Sequence, residues 1–374
     1  MKDAIENRLT RLRKTLADKN IDTFLVIVEE NRRYLSGFKG EDTQFDESAG
    51  ALFITDTKLI LATDSRFILQ AENEAPFYEI YCYKEGLAKA LPDILNLLNT
   101  KRLGFESVRM SVMEYEKYTK QLKSFNLNIE LVPTDNIVEN LRVIKDQVEI
   151  ETIQQALLLA ESVFKNFTET IKPGMTEREA AWSMEKSLRE QGADALSFPT
   201  IVASGPNSAL PHAMPGYRKF EKCEPILFDW GARLNGYCSD ISRTLVIGKP
   251  DDRFKTVYQT VLDAQQMAID AIRPGMSSKA VDEIARSHIE AKGFKDNFSH
   301  GLGHGVGLAV HEPPRISPLK DETLMPGMVF TVEPGIYIPG WGGVRLENMV
   351  LVKQDGVKVL NRLDPFDILQ KIQC

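Results

Sequence analysis

PILFDWGARLNGYCSDISRTLVIG, residues 225–248, is the stretch of sequence that decides the fold around it. Two apolar runs, 226–228 and 244–247, flank the dipeptide Asn235-Gly236. Asn-Gly between such runs predicts a two-residue β-hairpin turn, because both residues tolerate a positive φ. The turn also fixes which residues of the two strands face each other.

The register set by this turn brings two aspartates together. Asp229 pairs with Ser242 and Asp240 pairs with Gly231, so both carboxylates lie diagonally on one face of the hairpin. A slip of one residue would place them on opposite faces. Aspartate is unfavourable in strands, and a solvated outer face is the alternative to a shared site.

Composition and charge are those of an ordinary globular protein. The chain has 374 residues, of which 43% are hydrophobic and 26% charged, and this length is typical of two domains. The net charge is −7 and no Lys/Arg-rich run occurs, which argues against nucleic acid or an anionic membrane as a partner. No apolar stretch has the length of a membrane span.

The cysteines and the first residues favour a cytoplasmic protein. Cys82, Cys223, Cys238 and Cys374 are scattered without a CxxC spacing, which indicates reduced thiols and not a disulfide framework or a thiolate zinc site. Residues 1–14, MKDAIENRLTRLRK, are charged where a secretory signal would be apolar.

The first 130 residues alternate between helical and extended patterns. Ile5, Leu9, Leu12 and Leu16 share one helical stripe over residues 3–18. Later helical patterns lie at 87–98 and 112–122, and extended runs lie at 23–28, 51–55, 59–63 and 103–105. This alternation predicts an α/β N-terminal domain over residues 1–130.

An internal repeat organises the predicted second domain, residues 131–374. Residues 171–193 read IKPGMTEREAAWSMEKSLREQGA and residues 272–294 read IRPGMSSKAVDEIARSHIEAKGF, at an offset of 101 residues. Five positions match at this offset, and a long amphipathic helical stretch precedes each copy. Each copy then continues into a helix, and the helix of the first copy is opened by the capping box Thr176-x-x-Glu179. The matches favour duplication over chance, and predict a domain with pseudo-two-fold symmetry.

Histidines concentrate in one part of the second domain. All five lie between residues 212 and 311, and His300, His304 and His311 fall in HGLGHGVGLAVHEPP. A spacing of four would place His300 and His304 on one helix face, but the glycines between them predict a strand or loop.

Carboxylates lie on the apolar runs that follow. Residues 328–338 predict a strand that carries Glu333. Residues 344–352 predict a second strand with Arg345 and Glu347 on one face.

Asp229, Asp240, His304, Glu333 and Glu347 together are typical of a metal site. Four gathered carboxylates repel one another, and some must take up protons unless cations balance them. Two divalent ions supply that charge, and pairs about 3.5–4 Å apart are used for hydrolytic attack by a bridging hydroxide. Oxygen ligands with one imidazole and no thiolate favour Mn²⁺, with Co²⁺, Zn²⁺ and Fe²⁺ as alternatives.

These segments resemble the pita-bread metallopeptidases, most closely the branch of prolidase and aminopeptidase P. The resemblance spans nearly the whole chain. In the first domain it rests on NRRYLSGF (31–38), TDSRF (63–67) and LGFES (103–107). In the second domain it rests on FPTIVASGPNSALPHAMP (198–215), DWGARLNGYCSDISRT (229–244), HGLGHGVGLAVHE (300–312), FTVEP (330–334) and VRLEN (344–348).

The resemblance implies a role for each metal-binding candidate. Asp229 is expected to chelate one ion, and His304 and Glu333 the other, with Asp240 and Glu347 bridging the two. Glu333 is also expected to carry the proton during hydrolysis.

The resemblance implies further roles near the substrate for His212, His311 and Arg345, with His300 as a candidate that supports the ligands. His311 or His212 is expected to stabilise the developing oxyanion. Asn348 departs from the family, which usually has Asp after the last ligand, and this bears on metal affinity more than on reaction class.

The implied reaction is hydrolysis of the peptide bond before proline. The compact step from Glu333 to Glu347 is typical of shorter prolidases, so we expect an Xaa-Pro dipeptidase, with Arg345 as a candidate reader of the proline carboxylate. An aminopeptidase P acting on longer peptides is the alternative, followed by a non-peptidase binding protein or metal-free hydrolase of the same fold. Methionine aminopeptidase lacks such an N-terminal domain. The resemblance also implies a homodimer.

Overall fold

The structure is a computed structural model that describes residues 2–42, 44 and 47–364. It divides the chain into two units, Met1–Arg142 and Val143–Cys374. Our expected boundary, at residue 130, coincides with the start of strand Glu130–Thr134, which pairs with Arg102–Glu106 inside the first unit. Cys374 lies outside the described residues.

The first unit contains a mixed sheet and six helices in its described residues. The strands are β1 (Thr23–Val26), β2 (Ala51–Thr55), β3 (Leu59–Thr63), β4 (Glu79–Cys82), β5 (Arg102–Glu106) and β6 (Glu130–Thr134), in the order β4-β3-β2-β1-β5-β6. The helices are α1 (Lys2–Asp18), α2 (Glu29–Ser36), α3 (Ile68–Glu74), α4 (Leu87–Leu97), α5 (Val112–Ser124) and α6 (Ile137–Arg142). The α/β prediction is confirmed. The stripe of α1 is buried as expected.

In its described residues, the second unit is built from four long helices and several small sheets. The helices are α7 (Gln147–Phe167), α8 (Glu177–Glu190), α9 (Asp252–Ala271) and α10 (Ser278–Ala291), with short 3₁₀ turns at Gly205–Ala209 and Lys295–Asn297. The first strands are β7 (Ala195–Leu196), β8 (Ile201–Ser204), β9 (Pro225–Trp230), β10 (Ala232–Leu234), β11 (Tyr237–Cys238) and β12 (Ile241–Val246). The later strands are β13 (Gly303–Gly305), β14 (Glu312–Ile316), β15 (Val329–Val332), β16 (Gly335–Ile338), β17 (Gly342–Arg345), β18 (Asn348–Lys353) and β19 (Gly356–Val359).

The turn and the register predicted at the start of the sequence analysis are confirmed, but the two arms are divided between two sheets, with β10 and β11 beside the turn and β9 and β12 beyond it. Asn235 and Gly236 have φ values of 48° and 80°, as a two-residue turn with two positive φ angles requires. Beyond the turn, β9 and β12 pair antiparallel with Asp229 opposite Ser242. The turn therefore sets the register that places Asp229.

The repeat is visible as two matching helix pairs, α7–α8 and α9–α10. The Gly174 and Gly275 of the matched segments adopt the same left-handed conformation, with φ of 87° and 86°. The helix after each is capped by a hydroxyl, Thr176 in the first copy and Ser277 in the second. Equivalent turn chemistry thus produces equivalent structure in the two halves.

Two further predicted strands are each broken in two. The run 328–338 forms β15 and β16 with Glu333 between them, and the run 344–352 forms β17 and β18 with Glu347 between them. Strands β15 and β18 belong to a five-stranded sheet, order β14-β13-β15-β18-β19, whereas β16 and β17 form a separate two-stranded sheet. Pro334 has no N–H for a continuous ladder. Each glutamate therefore lies where the chain passes from one sheet to the other.

No helix among the described residues is both long and apolar enough to cross a membrane.

Candidate metal centre

Five different backbone positions bring the predicted ligands to one cavity. Asp229 is on β9, Asp240 precedes β12, His304 is on β13, and Glu333 and Glu347 lie at the two strand breaks. All five line a cavity of about 680 Å³ in the second unit. The hairpin, the Gly-rich segment and the strand breaks are thus parts of one site.

The ligand atoms are close to one another. His304 Nε2 lies 3.6 Å from Asp240 Oδ2 and 3.3 Å from Glu333 Oε1. Ligand atoms of Asp240, His304 and Glu347 all lie within 4.8 Å of each other. Such a group of two carboxylates and an imidazole can hold a metal ion between them.

The imidazole of His304 is oriented for ligation. Its Nδ1 lies 3.1 Å from the carbonyl oxygen of Gly305, which fixes Nδ1 as the donor and leaves the Nε2 lone pair facing the carboxylates. Burial, together with the nearby His311, lowers the pKa of His304 to about 3. The neutral, metal-binding form is therefore favoured.

The carboxylates are crowded and need positive charge. Burial raises the pKa of Asp240 well above its usual range, and the Glu347 carboxylate adds to the increase. Burial and the Glu333 and Asp229 carboxylates raise the pKa of Glu347 in the same way, and burial raises the pKa of Glu333 to about 8. Divalent cations would keep these groups ionised.

Two buried carboxylate oxygens of the cluster lack a hydrogen-bond donor in the described part of the chain. Asp229 Oδ1 and Glu347 Oε1 are buried and accept no hydrogen bond among the described residues. A buried carboxylate oxygen without a donor is costly unless it binds a cation. These orphaned atoms, four carboxylates and one oriented imidazole fit oxygen-preferring divalent ions.

The guanidinium of Arg345 is bound by residues in and around the carboxylate cluster. Its Nη2 lies 2.6 Å from Asp229 Oδ2, its Nε donates to Ser242 Oγ at 2.8 Å, and its Nη1 donates to Tyr337 Oη at 2.8 Å and to the Pro211 carbonyl at 3.2 Å. The residue is only 3% exposed. A guanidinium with these partners positions Asp229, and is poorly placed to bind a substrate carboxylate.

The predicted substrate-side histidines occupy different environments. His212 and His311 are exposed and line the cavity, and the His311 ring meets the His304 ring edge-on at a centroid distance of 4.3 Å. His300 lies in the same cavity wall, but its Nε2 is 2.8 Å from Tyr337 Oη and its Nδ1 is 2.8 Å from the Gly301 carbonyl. Both ring nitrogens of His300 are thus engaged, and burial lowers its pKa to about 4. His300 supports Tyr337.

Arg315 and Tyr337 are site residues that the sequence analysis missed. Arg315 lines the cavity, and its guanidinium forms no ion pair with any carboxylate in the described ranges. Its charge nevertheless lowers the pKa of both His304 and Glu333. The signal in the sequence was weak, because Arg315 follows the two prolines after Glu312 and matches no metal-binding pattern.

Apolar side chains form the rest of the cavity wall. Phe198, Pro199 and Ile201 line one side, and Met214 and Leu319 line it with 90% and 95% of their surface exposed. The cavity therefore offers polar chemistry at its base and apolar contacts along its walls, as small-molecule sites commonly do.

Both units match known protein families. The model of Metallopeptidase family M24 matches residues 151–354, and the Creatinase/Prolidase N-terminal domain matches residues 8–144. The chain belongs to Metallopeptidase family M24. The fold is accordingly a creatinase-type N-terminal domain followed by a pita-bread catalytic domain, and the protein is a metallopeptidase.

Three relatives show the range of names within this similarity. The chain is 36% identical to an Xaa-Pro dipeptidase of Pyrococcus furiosus, over 96% of this chain and 99% of the relative. A solved structure of an Xaa-Pro dipeptidase from Bacillus anthracis has a TM-score of 0.90 and 36% identity, with 96% and 98% of the two chains covered. An X-Pro aminopeptidase from Thermotoga maritima is also 36% identical, with a TM-score of 0.86 and coverage of 96% and 98%.

Proposed function

We propose that this protein is an Xaa-Pro dipeptidase that uses two divalent metal ions. One observation carries the proposal. The five metal-binding candidates share a single cavity with two exposed histidines and with the guanidinium of Arg315, which has no ion pair among the described residues. The similarity to relatives named Xaa-Pro dipeptidase supports the proposal that the bond before proline is cleaved.

The ions would be held as the family resemblance implies. Asp229 would bind one ion, His304 and Glu333 the other, and Asp240 and Glu347 both. When bound, such ions lower the pKa of a water nucleophile and polarise the carbonyl of the scissile bond. We propose Mn²⁺ as the ion, since the donor set is oxygen-rich and contains no thiolate.

Glu333 is the carboxylate best placed to move a proton. Its side chain is 16% exposed, against 6% for Asp240 and 13% for Asp229. Glu333 Oε1 accepts a hydrogen bond from Thr331 Oγ1 at 3.1 Å, which fixes the carboxylate. In this proposal, Glu333 takes the proton from the attacking water and passes it to the leaving nitrogen of proline.

His212 and His311 face the region where the carbonyl oxygen becomes negative. Both are exposed to the cavity, and burial lowers the pKa of His311. A neutral imidazole N–H can donate to the developing oxyanion, which is worth about 10²–10³ in rate for one such donor.

The dipeptide preference rests on Arg315, a cavity-lining cation that forms no ion pair within the described part of the chain. Arg345 is occupied by Asp229 and Tyr337, and Lys320 pairs with Glu322 at 3.2 Å. Arg315 remains available to bind the carboxylate of a C-terminal proline, as arginine commonly does. The Thermotoga relative named X-Pro aminopeptidase favours a second candidate, cleavage of the same bond in longer peptides.

We further propose a homodimer that acts in the cytoplasm. Cys82 and Cys223 form no disulfide among the described residues, which supports a reducing compartment. The dimer follows from the family resemblance alone. Mass measurement in solution, by light scattering, tests it directly.

A side-by-side assay tests the proposed substrate. The Mn²⁺-loaded enzyme should cleave an Xaa-Pro dipeptide with a kcat/KM at least tenfold above that for the matching Xaa-Pro-Yaa tripeptide, about 1.4 kcal/mol of transition-state binding. The amide of the same dipeptide, which lacks the carboxylate, is the matched control and should be cleaved poorly. A tenfold preference for the tripeptide would establish the aminopeptidase alternative, and cleavage of none of the three would contradict a peptidase acting before proline.

A further inference from the structure

We infer that Glu177 is a positioning residue that holds the loop carrying His212. This inference rests on the proposed role of His212 in turnover. Glu177 is the first residue of α8, is fully buried, and lies far from the metal ligands in sequence. The loop runs from Gly205 to Pro215, and its residues Pro211 to Pro215 line the cavity.

The Glu177 carboxylate joins the two ends of this loop. At the beginning of the loop, Oε1 accepts hydrogen bonds from the backbone N and the Oγ of Ser204, both at 2.8 Å, and from Asn207 Nδ2 at 3.0 Å. At its end, Oε2 accepts a hydrogen bond from the backbone N of Gly216 at 3.0 Å. One carboxylate therefore joins the two ends of an eleven-residue segment that contains His212, a link that we call the closure.

Glu177 does not cap its own helix, α8. The N-terminus of α8 is already capped by Thr176 and Glu179, whose carboxylate accepts from the backbone N of Thr176 at 2.8 Å and from its Oγ at 2.9 Å. The hydrogen bonds that its carboxylate accepts come instead from Ser204, Asn207 and Gly216. A buried carboxylate with charge-assisted bonds to both ends of a loop restricts that loop strongly.

The middle of the loop is held by hydrogen bonds from strand β17. The carbonyl oxygen of Pro211, the residue before His212, accepts a hydrogen bond from Arg345 Nη1 at 3.2 Å. Ser208 Oγ accepts one from the backbone N of Gly343 at 2.8 Å. His212 is thus placed between contacts to Arg345 and the closure made by Glu177, so releasing the closure should displace the imidazole.

The variant Glu177→Gln removes one end of the closure selectively. The amide oxygen can still accept from Ser204, but the amide nitrogen cannot accept from the Gly216 N–H. We expect kcat on an Xaa-Pro dipeptide to fall about 10- to 100-fold, as for other small displacements of a reacting group, with little change in KM and the same metal content. Amide hydrogen exchange in residues 205–216 should become faster. Glu179→Gln, two residues further along α8, should change none of these values.

A double-mutant cycle shows whether Glu177 acts through His212. In the His212→Ala background, Glu177→Gln should lower kcat by less than about twofold, because the group it positions is gone. Equal losses in both backgrounds would overturn the inference. If Glu177→Gln does not fold, Asn207→Ala removes a bond from the loop side and should follow the same non-additive pattern.

The exchange measurement separates this inference from the proposed function. If the wild-type protein cleaves no Xaa-Pro substrate, or if His212→Ala has full activity, the proposed function or the role of His212 is wrong. Amide hydrogen exchange in residues 205–216 then tests, without any activity assay, whether Glu177 restrains the loop. Faster exchange in Glu177→Gln than in Glu179→Gln supports this restraint, and unchanged exchange overturns it.

Discussion

Lys145 and Glu312 form a buried ion pair behind the histidines of the site. Lys145 Nζ lies 2.6 Å from Glu312 Oε1, and the two side chains are 1% and 4% exposed. Glu312 follows His311 directly and lies opposite Gly305, the neighbour of His304, across β13 and β14. The pair therefore connects the segment that precedes α7 to the strands that present both imidazoles.

Breaking this pair should destabilise the second unit strongly. Lys145→Met leaves the Glu312 carboxylate buried without its cation, and we expect a loss of about 3–5 kcal/mol in the free energy of unfolding. Urea denaturation followed by tryptophan fluorescence measures it, since Trp182, Trp230 and Trp341 all lie in this unit.

The control for that experiment is an exposed pair. Lys186 and Glu190 lie 3.7 Å apart on α8 with side chains 60% and 64% exposed, so Lys186→Met should cost less than about 1 kcal/mol. The double variant Lys145→Met/Glu312→Gln should recover much of the loss. Equal destabilisation by the two lysine variants would contradict the importance of the buried pair.

Metal binding should depend on the two proposed bridging carboxylates. Asp240→Ala and Glu347→Ala each remove a group from the cluster that gathers around His304, and both should lose activity and bound metal. Elemental analysis after reconstitution with Mn²⁺ should give two ions per wild-type chain and less than one per chain in either variant. Glu224→Gln, which alters a carboxylate paired with Arg218, should keep two. Retention of both ions by Asp240→Ala would show that Asp240 is not a bridge.

Local sequence patterns predicted the features that local chemistry controls. The hairpin register follows from Asn235-Gly236, and the two matched turns follow from Gly174 and Gly275, whose backbone needs a positive φ. The breaks at Glu333 and Glu347 could not be predicted in this way. Each results from pairing with a different sheet on either side, and an apolar run looks the same whether it is one strand or two.

Long-range partners explain the remaining differences. The sequence analysis missed helix α2 because its sequence, EENRRYLS, is polar. Its Arg32 is nevertheless buried, because the guanidinium forms an ion pair with Asp42 at 2.7 Å. Arg345 was a plausible reader of the substrate carboxylate until its partner Asp229, 116 residues away in sequence, was seen. The pattern around an arginine does not show which carboxylate already neutralises it.

The stability of the metal-free protein should fall as the pH rises. Burial raises the pKa of Glu333 from its ordinary 4.5 to about 8, so the folded chain holds a proton that the unfolded chain has released. The free energy of unfolding must then decrease between pH 4.5 and about 8. His300, His304 and His311, whose pKa values burial lowers, give the opposite slope, which has largely vanished by pH 8 because the ordinary pKa of histidine is 6.5. These histidines are shared by the wild type and a Glu333 variant, so a difference between the two in the change of urea midpoint from pH 6.5 to 8, measured on chelator-treated protein, reports on Glu333.

Two comparisons check this assignment. Metal-free Glu333→Gln, which mimics the protonated side chain, should lose less stability between pH 6.5 and 8 than the metal-free wild type. The Mn²⁺-loaded wild type should also lose less, because the ions compensate the ionised carboxylates. A metal-free Glu333→Gln protein with the full wild-type slope would assign the effect to other groups.

Replacing Arg315 should remove the preference for a free carboxylate. Its guanidinium lines the cavity without an ion pair in the described ranges, and a charge-assisted hydrogen bond contributes about 1.5–3 kcal/mol. Arg315→Met should therefore lower kcat/KM for an Xaa-Pro dipeptide by about 10- to 100-fold, and hardly affect the dipeptide amide, which has no carboxylate to lose. The control is Lys320→Met, because Lys320 also lines the cavity but is already paired with Glu322. This variant should leave kcat/KM unchanged for both substrates. If Arg315→Met lowers kcat/KM equally for the dipeptide and its amide, Arg315 does not bind the substrate carboxylate. The structural argument for a dipeptidase would then fail.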